Sequence, residues 1–288
     1  MATTTTTGKV LLSTEELAAD LGAETTRSPG RRILEVDEDT EAYGRGHLRG
    51  ALAVHWRHDL QDRVRRDFIG PEAFAALMDR LGIDNDTEVV LYGGNSNWFA
   101  AYAYWYLKFY GHQAVRLLDG GRKTWELEGR PLTTEVPPLT PTRGYRVDGQ
   151  AEEIRALRGQ VEQALGRPGA GLVDVRSPAE YSGEIMAPPH LPQEGAQRRG
   201  HIPGAGNIPW SKAVNPETGA FLPTEQLRSL YEGQGLTPDL QVVAYCRIGE
   251  RSAHTWFVLH ELLGYPSVRN YDGSWTEWGS LVGVPIER

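Results

Sequence analysis

The chain has 288 residues, which is long enough for two domains of ordinary size. With 40% hydrophobic and 24% charged residues, it has the composition of a globular protein. Thirty Lys and Arg against 38 Asp and Glu give a formal net charge of -8, which argues against nucleic acid or an acidic membrane surface as the main partner. We therefore expect any anion-binding site to be local.

The N-terminal sequence, "MATTTTTGKV", lacks the basic stretch and the apolar segment of a secretory signal. No apolar run elsewhere approaches the roughly 20 residues that span a bilayer. We predict a cytoplasmic protein without a membrane partner, in which residues 1–10 are disordered.

Short β-branched apolar segments alternate with longer helical patterns along both halves of the chain. In the first half, residues 98–110 contain eight aromatic residues at mixed spacing, which predicts a helix buried on most sides. In the second half, strand patterns at Leu172–Val175 and Gln241–Tyr245 enclose the helical pattern "TEQLRSLYEGQGL". The alternation predicts an α/β fold with parallel sheets flanked by helices.

A long internal repeat covers most of the chain. Residues 88–125 align with residues 241–278 at a constant offset of 153. Upstream, "HLRGALAVHW" at 47–56 matches "HIPGAGNIPW" at 201–210. The sequence is therefore that of a duplicated domain.

The boundary between the copies is predicted from composition. Residues 131–145 are rich in Pro and Thr and show little apolar periodicity, as is typical of an extended linker. We predict a first domain at 11–132, a linker at 133–148 and a second domain at 149–288. Within the second domain, the Pro- and Gly-rich insertion 182–200 predicts a surface loop.

The only cysteine of the chain, Cys246, directly follows a predicted strand. One cysteine excludes an intramolecular disulfide, a Cys-x-x-Cys pair and a zinc site built on several thiolates, so the alternatives are an inert buried thiol and a reactive one. Ligands of open parallel sheets gather beyond the carboxyl ends of the strands. The loop holds Arg247, Gly249 and Arg251 and leads into a helix predicted to start near Ser252, so that backbone N–H groups and two guanidiniums face the sulfur. We expect them to lower the pKa of the thiol and to ionise it at neutral pH.

The corresponding segment of the first copy has a different chemistry. Residues 93–97 read "GGNSN" and contain neither a thiol nor a charge. Only the second domain is therefore predicted to be catalytic.

The motifs "CRIGERS", "GHIPGA" and "YDGSWTEWG" closely resemble those of rhodaneses, in particular the tandem-domain thiosulfate sulfurtransferases of actinobacterial type. The resemblance covers both repeats and implies two tandem rhodanese domains, the first non-catalytic and the second catalytic. It implies that Cys246 carries a persulfide and that Arg251, Arg247 and Gly249 belong to the substrate-binding loop. Thiosulfate is then the sulfur donor and cyanide or a thiol the acceptor, with no metal and no organic cofactor.

Departures from the family pattern leave alternatives open. Some relatives carry an arginine where this chain has Glu180, so the substrate contact of that arginine does not transfer. A 3-mercaptopyruvate sulfurtransferase remains an alternative, although its loops resemble Cys-Gly-x-Gly-Val-Thr, and so does a persulfide carrier in a sulfur relay. Related cysteine phosphatases place five residues between cysteine and arginine, whereas four separate Cys246 from Arg251, which disfavours phosphatase activity.

Other candidate residues have two interpretations each. Asp174 and Arg176 end a predicted strand, where they either orient Arg247 through an ion pair or form a cap or turn. His47 and His201 recur in both copies, which favours a structural role over catalysis.

Overall fold

The structure, a computed structural model, describes three segments of the chain, which are residues 10–22, 30–189 and 195–288. Of residues 1–10, which the sequence predicted to be disordered, residues 1–9 lie outside the described residues, whereas Val10 forms a turn and its carbonyl accepts a hydrogen bond from Leu117 N at 2.9 Å. Within the described part of the chain, no helix is long and apolar enough to cross a membrane.

The chain divides into two compact units. The first unit extends to Ala151 and also takes in Pro216–Phe221. The second consists of Glu152–Asn215 and Leu222–Arg288. Residues 134–148 form no helix or strand.

In the described part of the first unit, five parallel strands form one sheet in the order β1-β5-β4-β2-β3. The strands are β1 (Leu11–Leu12), β2 (Arg31–Glu35), β3 (Ala51–Ala53), β4 (Glu88–Tyr92) and β5 (Val115–Leu118). The helices are α1 (Thr14–Gly22), α2 (Ala42–Arg45), α3 (Trp56–Leu60), α4 (Pro71–Arg80), α5 (Trp98–Phe109) and α6 (Gly121–Leu127). Helix α5 is buried at every position except Lys108, which confirms the buried aromatic helix predicted from the sequence.

The described part of the second unit repeats this topology, with the sheet order β6-β10-β9-β7-β8 and all pairs parallel. The strands are β6 (Arg155–Ala156), β7 (Ala170–Asp174), β8 (Gly206–Asn207), β9 (Gln241–Tyr245) and β10 (Val268–Tyr271). The α-helices are α7 (Arg158–Ala164), α8 (Pro178–Tyr181), α9 (Thr224–Glu232), α10 (Glu250–Trp256) and α11 (Ser274–Trp278), and a π-helical segment (Phe257–Leu262) continues α10. The predicted α/β class and domain duplication are both confirmed.

The repeat extends to individual hydrogen bonds. The hydroxyl of Tyr92, at the end of β4, accepts a hydrogen bond from Leu48 N at 3.0 Å. The hydroxyl of Tyr245, at the end of β9, accepts one from Ile202 N, also at 3.0 Å. The central strand of each unit is therefore tied to the loop before its edge strand in the same way.

Each unit also buries one guanidinium near this tyrosine. In the first unit, Arg122 pairs with Glu35 at 2.5 Å and lies 6.0 Å from the tyrosine ring centroid. In the second unit, Arg176 pairs with Asp174 at 2.6 Å and also lies 6.0 Å from its tyrosine. Arg122 aligns with Trp275 in the repeat and not with Arg176. The guanidinium near the tyrosine therefore comes from a different sequence position in each unit.

The two partners of Arg122 allow a matched test of its buried pair. Glu35 is 2% exposed, whereas Glu126, which lies 3.5 Å from the same guanidinium, is 50% exposed. We predict that Glu35→Ala lowers the free energy of unfolding by about 3–5 kcal/mol, because the mostly buried Arg122 loses its buried partner and keeps only the half-exposed Glu126. Glu126→Ala removes an equal charge at the surface and should cost less than about 1 kcal/mol. Urea denaturation measures both, and equal losses would contradict the assignment.

Candidate active site

The loop after β9 is anchored by the start of α11. Cys246 N donates a hydrogen bond to Ser274 Oγ at 3.1 Å, and that hydroxyl donates to Tyr271 O at 2.6 Å. The carbonyl of Cys246 accepts a hydrogen bond from Trp275 N at 3.0 Å. These contacts fix the backbone of the cysteine on both sides, so the position of its sulfur is set by the fold.

The sulfur itself is fully buried and contacts polar groups of the loop and of the first turn of α10. The Gly249 N–H donates a hydrogen bond to Cys246 Sγ at 3.2 Å, and Sγ lies 3.4 Å from Glu250 Oε2. Gly249 has a φ of 101°, and a Cβ there would lie 2.6 Å from the Cα of Asp272. Only glycine fits this position, because both the backbone conformation and the approach of Asp272 exclude a side chain.

The thiol is less acidic than the sequence indicated. Burial raises the pKa of Cys246 above its ordinary value, and the Glu250 carboxylate raises it further. Arg251 and hydrogen bonds from Ser252 act in the opposite direction without outweighing them. The expected lowering of the thiol pKa is therefore wrong, since sequence reasoning counted the guanidiniums but not the burial of the loop or the acid beside the sulfur.

Arg251 makes a bidentate ion pair with Glu180. Its Nη1 and Nη2 atoms each donate to one carboxylate oxygen at 3.0 Å, and both side chains are buried. Burial acts to raise the pKa of Glu180, but the hydrogen bonds and charge of Arg251 outweigh it and hold that pKa below its ordinary value. The helix begins at Glu250 instead of Ser252, so Arg251 lies in its first turn.

Glu180 is itself held by a capping box at the start of α8. Ser177 N and Ser177 Oγ donate to Glu180 Oε2 at 3.0 and 2.9 Å. Sequence reasoning treated this glutamate only as the loss of an arginine. The available signal was the Ser-x-x-Glu spacing, which is typical of a helix N-terminus and directs the carboxylate back toward the turn.

Three further candidate residues near the loop, Asp174, Arg176 and Ser252, make structural contacts. Arg176 and Asp174 form an ion pair with each other at the end of β7. Arg176 also donates a hydrogen bond to Gly200 O at 2.7 Å. Ser252 Oγ donates to Asn270 Oδ1 at 2.6 Å and thereby ties α10 to β10.

The recurring histidines have contacts typical of a structural role. His47 and His201 each stack on a tyrosine, with ring centroids 3.8 and 3.6 Å apart.

In the equivalent loop of the first unit, the side chain of Asn97 makes hydrogen bonds with the backbone. Gly93 N donates to Asn97 Oδ1 at 2.9 Å, and Asn97 Nδ2 donates to Leu118 O at 2.6 Å. A Cβ at Gly93 would lie 2.2 Å from Val36 O. A cysteine therefore does not fit here without a backbone shift.

The comparison with protein families decides the identity of this fold. A family model described as "Rhodanese-like domain" matches residues 13–128 and again residues 157–281. The chain belongs to the rhodanese family. This rhodanese has two domains of that type and is a sulfurtransferase.

Similar proteins share nearly the full length of this rhodanese. The "Putative thiosulfate sulfurtransferase" of Saccharopolyspora erythraea is 56% identical over 278 residues, covering 96% of this chain and 98% of that protein. The "Sulfur carrier protein TtuD" of Thermus thermophilus is 57% identical over 283 residues, covering 97% of each. Among solved structures, the anaerobic ergothioneine biosynthesis enzyme of Chlorobium limicola shares the fold, with a TM-score of 0.84 and 22% identity, over 100% of this chain and 72% of that chain.

The Glu180–Arg251 pair predicts a large and non-additive effect on the stability of the rhodanese. Arg251→Met and Glu180→Gln should each cost about 3–5 kcal/mol, because each leaves a buried charge unpaired. The double variant should cost less than the sum, by about 0.5–3 kcal/mol of coupling. Urea denaturation of the four proteins measures this, and strict additivity would contradict a direct pair.

The same pair contributes to acid sensitivity. Because the pKa of Glu180 is lower in the folded than in the unfolded chain, its contribution to stability is present above the ordinary value of 4.5 and is lost as the pH falls through the folded value. Glu180→Gln should therefore flatten this part of the pH dependence.

Proposed function

We propose that this rhodanese transfers the sulfane sulfur of thiosulfate through a persulfide on Cys246. Attack on thiosulfate releases sulfite, and cyanide or a thiol then accepts the sulfur. The observation that carries the proposal is the position of the sole thiol of the chain, at the end of β9 with the Gly249 N–H directed at its sulfur. The name of the Saccharopolyspora erythraea relative supports the choice of thiosulfate.

The charge of the substrate explains the cationic residues of the loop. Thiosulfate is a dianion, and its approach to a nucleophilic sulfur requires positive charge nearby. Arg247 and Arg251 are both 3% exposed and lie on the loop and the first turn that follow the cysteine. We assign oxyanion binding to Arg247, while the Gly249 N–H stabilises the reacting sulfur. Arg251, whose terminal nitrogens are engaged by Glu180, supplies a fixed positive charge.

The other residues near the loop and the two domains are assigned as follows from these roles of Arg247 and Arg251. Asp174, Arg176 and Ser252 support the loop by holding the ends of the strands and the helix around it. Domain 149–288 performs the chemistry, while domain 11–132, joined to it by linker 133–148, is non-catalytic. The reaction uses small molecules in the cytoplasm and requires no metal or organic cofactor.

Burial of the thiol supports a second candidate, a persulfide carrier in a sulfur relay. Cys246 is 0% exposed, so a persulfide formed there is shielded from soluble thiols. The Thermus thermophilus relative is named as a sulfur carrier. In this case the persulfide should be long-lived and turnover with cyanide slow.

Intact-mass analysis tests the proposal directly. Treatment with thiosulfate should add one sulfur atom per chain, and Cys246→Ser should abolish both this addition and thiocyanate formation. A wild-type protein that gains no sulfur, or a serine variant that still turns over, would overturn it.

Steady-state kinetics then separate the donors. With cyanide as the common acceptor, kcat/KM should be higher for thiosulfate than for 3-mercaptopyruvate. The reverse order would favour a 3-mercaptopyruvate sulfurtransferase, and a stable persulfide with slow turnover would favour the carrier.

A further inference from the structure

Glu250 is a buried carboxyl group in contact with the reacting sulfur. It is 1% exposed, and its Oε2 atom lies 3.4 Å from Cys246 Sγ. The other oxygen, Oε1, is buried and makes no hydrogen bond within the described residues, although Arg251 Nε lies 3.8 Å away. A buried carboxylate with so few hydrogen bonds and ion pairs lowers the stability of the fold, and such groups are characteristic of functional sites.

We propose that Glu250 holds the Cys246 proton during turnover and acts as a catalytic acid–base residue of sulfur transfer. This inference rests on the proposed function, in which Cys246 is the nucleophile. The resting state has a thiol that donates its hydrogen bond to Glu250 Oε2. Transfer of that proton gives a thiolate beside a neutral carboxylic acid.

The full cycle balances without any outside proton. The thiolate forms a bond to the sulfane sulfur of thiosulfate, and the bond from that sulfur to sulfite breaks, with the electron pair leaving on sulfite. The persulfide anion then stands beside the protonated Glu250. Cyanide takes the terminal sulfur as thiocyanate, and the thiolate that remains recovers its proton from Glu250.

A neutral Glu250 also removes a repulsive charge when a dianion binds. If the shared proton is lost at alkaline pH, a thiolate and a carboxylate face thiosulfate together. The basic limb of the pH profile should therefore reflect loss of this proton.

Several other titratable groups lie on the elements around the pair. His254 is fully buried, and burial lowers its pKa to about 3, so it is neutral at physiological pH. The charged and titratable groups on the surrounding elements are Arg247, Arg251 with Glu180, Asp272 with Arg155, Asp174 with Arg176, Tyr245, Tyr271 and Ser252. Glu250 is the carboxyl group among them that contacts Sγ.

The test compares pH profiles of three full-length variants with the wild type. Glu250→Gln keeps the shape but cannot accept the proton, Glu250→Asp keeps the acid, and Glu225→Gln removes an equal charge from the exposed first turn of α9. The profiles to measure are kcat/KM for thiosulfate, with cyanide as acceptor, and the rate of Cys246 alkylation by iodoacetamide.

Wild type and Glu225→Gln should be flat across neutral pH, because in the proposed step the proton passes from Cys246 to Glu250 and is not released to water. Glu250→Gln should be slower at neutral pH by on the order of 10²-fold, because burial, the larger cause of the raised thiol pKa, still keeps Cys246 protonated there after the carboxylate is removed. Its rate should then rise about tenfold per pH unit and approach that of the wild type under alkaline conditions, since the thiol now loses its proton to water. Glu250→Asp should keep the flat profile at a lower level.

Two results would overturn the inference. One is a Glu250→Gln variant as fast as the wild type at neutral pH, and the other is a loss that is the same at every pH, as a purely structural role would give. If Glu250→Gln fails to fold, a rising profile for Glu250→Asp would overturn it instead. Failure of persulfide formation would overturn the proposed function. Because alkylation by iodoacetamide needs no sulfur donor, its pH profile would still test whether Glu250 accepts the Cys246 proton.

Discussion

The bidentate ion pair between Arg251 and Glu180 determines the electrostatics of the whole site. It buries a guanidinium beside the cysteine and offsets its charge with a carboxylate from α8, 71 residues away in the sequence. The carboxylate is itself fixed by the Ser177 capping box. Because Arg251 is held in this way, it is a preorganised charge, and in the proposed reaction it requires no rearrangement when charge develops.

This constraint accounts for the state of the thiol. Arg247 and Arg251 bring two positive charges to the loop, and Glu180 and Glu250 bring two negative ones, so the thiol form leaves the site electrically balanced. Burial then favours the neutral sulfur, which agrees with the raised pKa of Cys246. The site therefore suits the proposed reaction, in which the sulfur becomes anionic by transfer of its proton to Glu250.

The sequence predicted the architecture because the architecture follows from local patterns. The β-branched strands and the buried helix α5 were each visible within a few residues, and the constant offset between the repeats revealed the duplication. The position of Cys246 after β9 and the glycine at 249 were predictable for the same reason. The partner of Arg251 and the sign of the thiol pKa shift were not, because they depend on burial and on a contact between distant segments. Glu250 was visible in the motif, but only its distance to Sγ points to the role that we propose for it.

The central claim, that Cys246 carries the transferred sulfur within a preformed loop, is tested most directly by a crystal structure of the thiosulfate-treated protein. We predict one additional sulfur atom bonded to Cys246 Sγ, with the Gly249 N–H still directed at the sulfur, the Glu180–Arg251 pair intact and no sulfur adduct at residues 93–97. An unmodified Cys246, or a loop that forms only after the Glu180–Arg251 pair has broken, would contradict it.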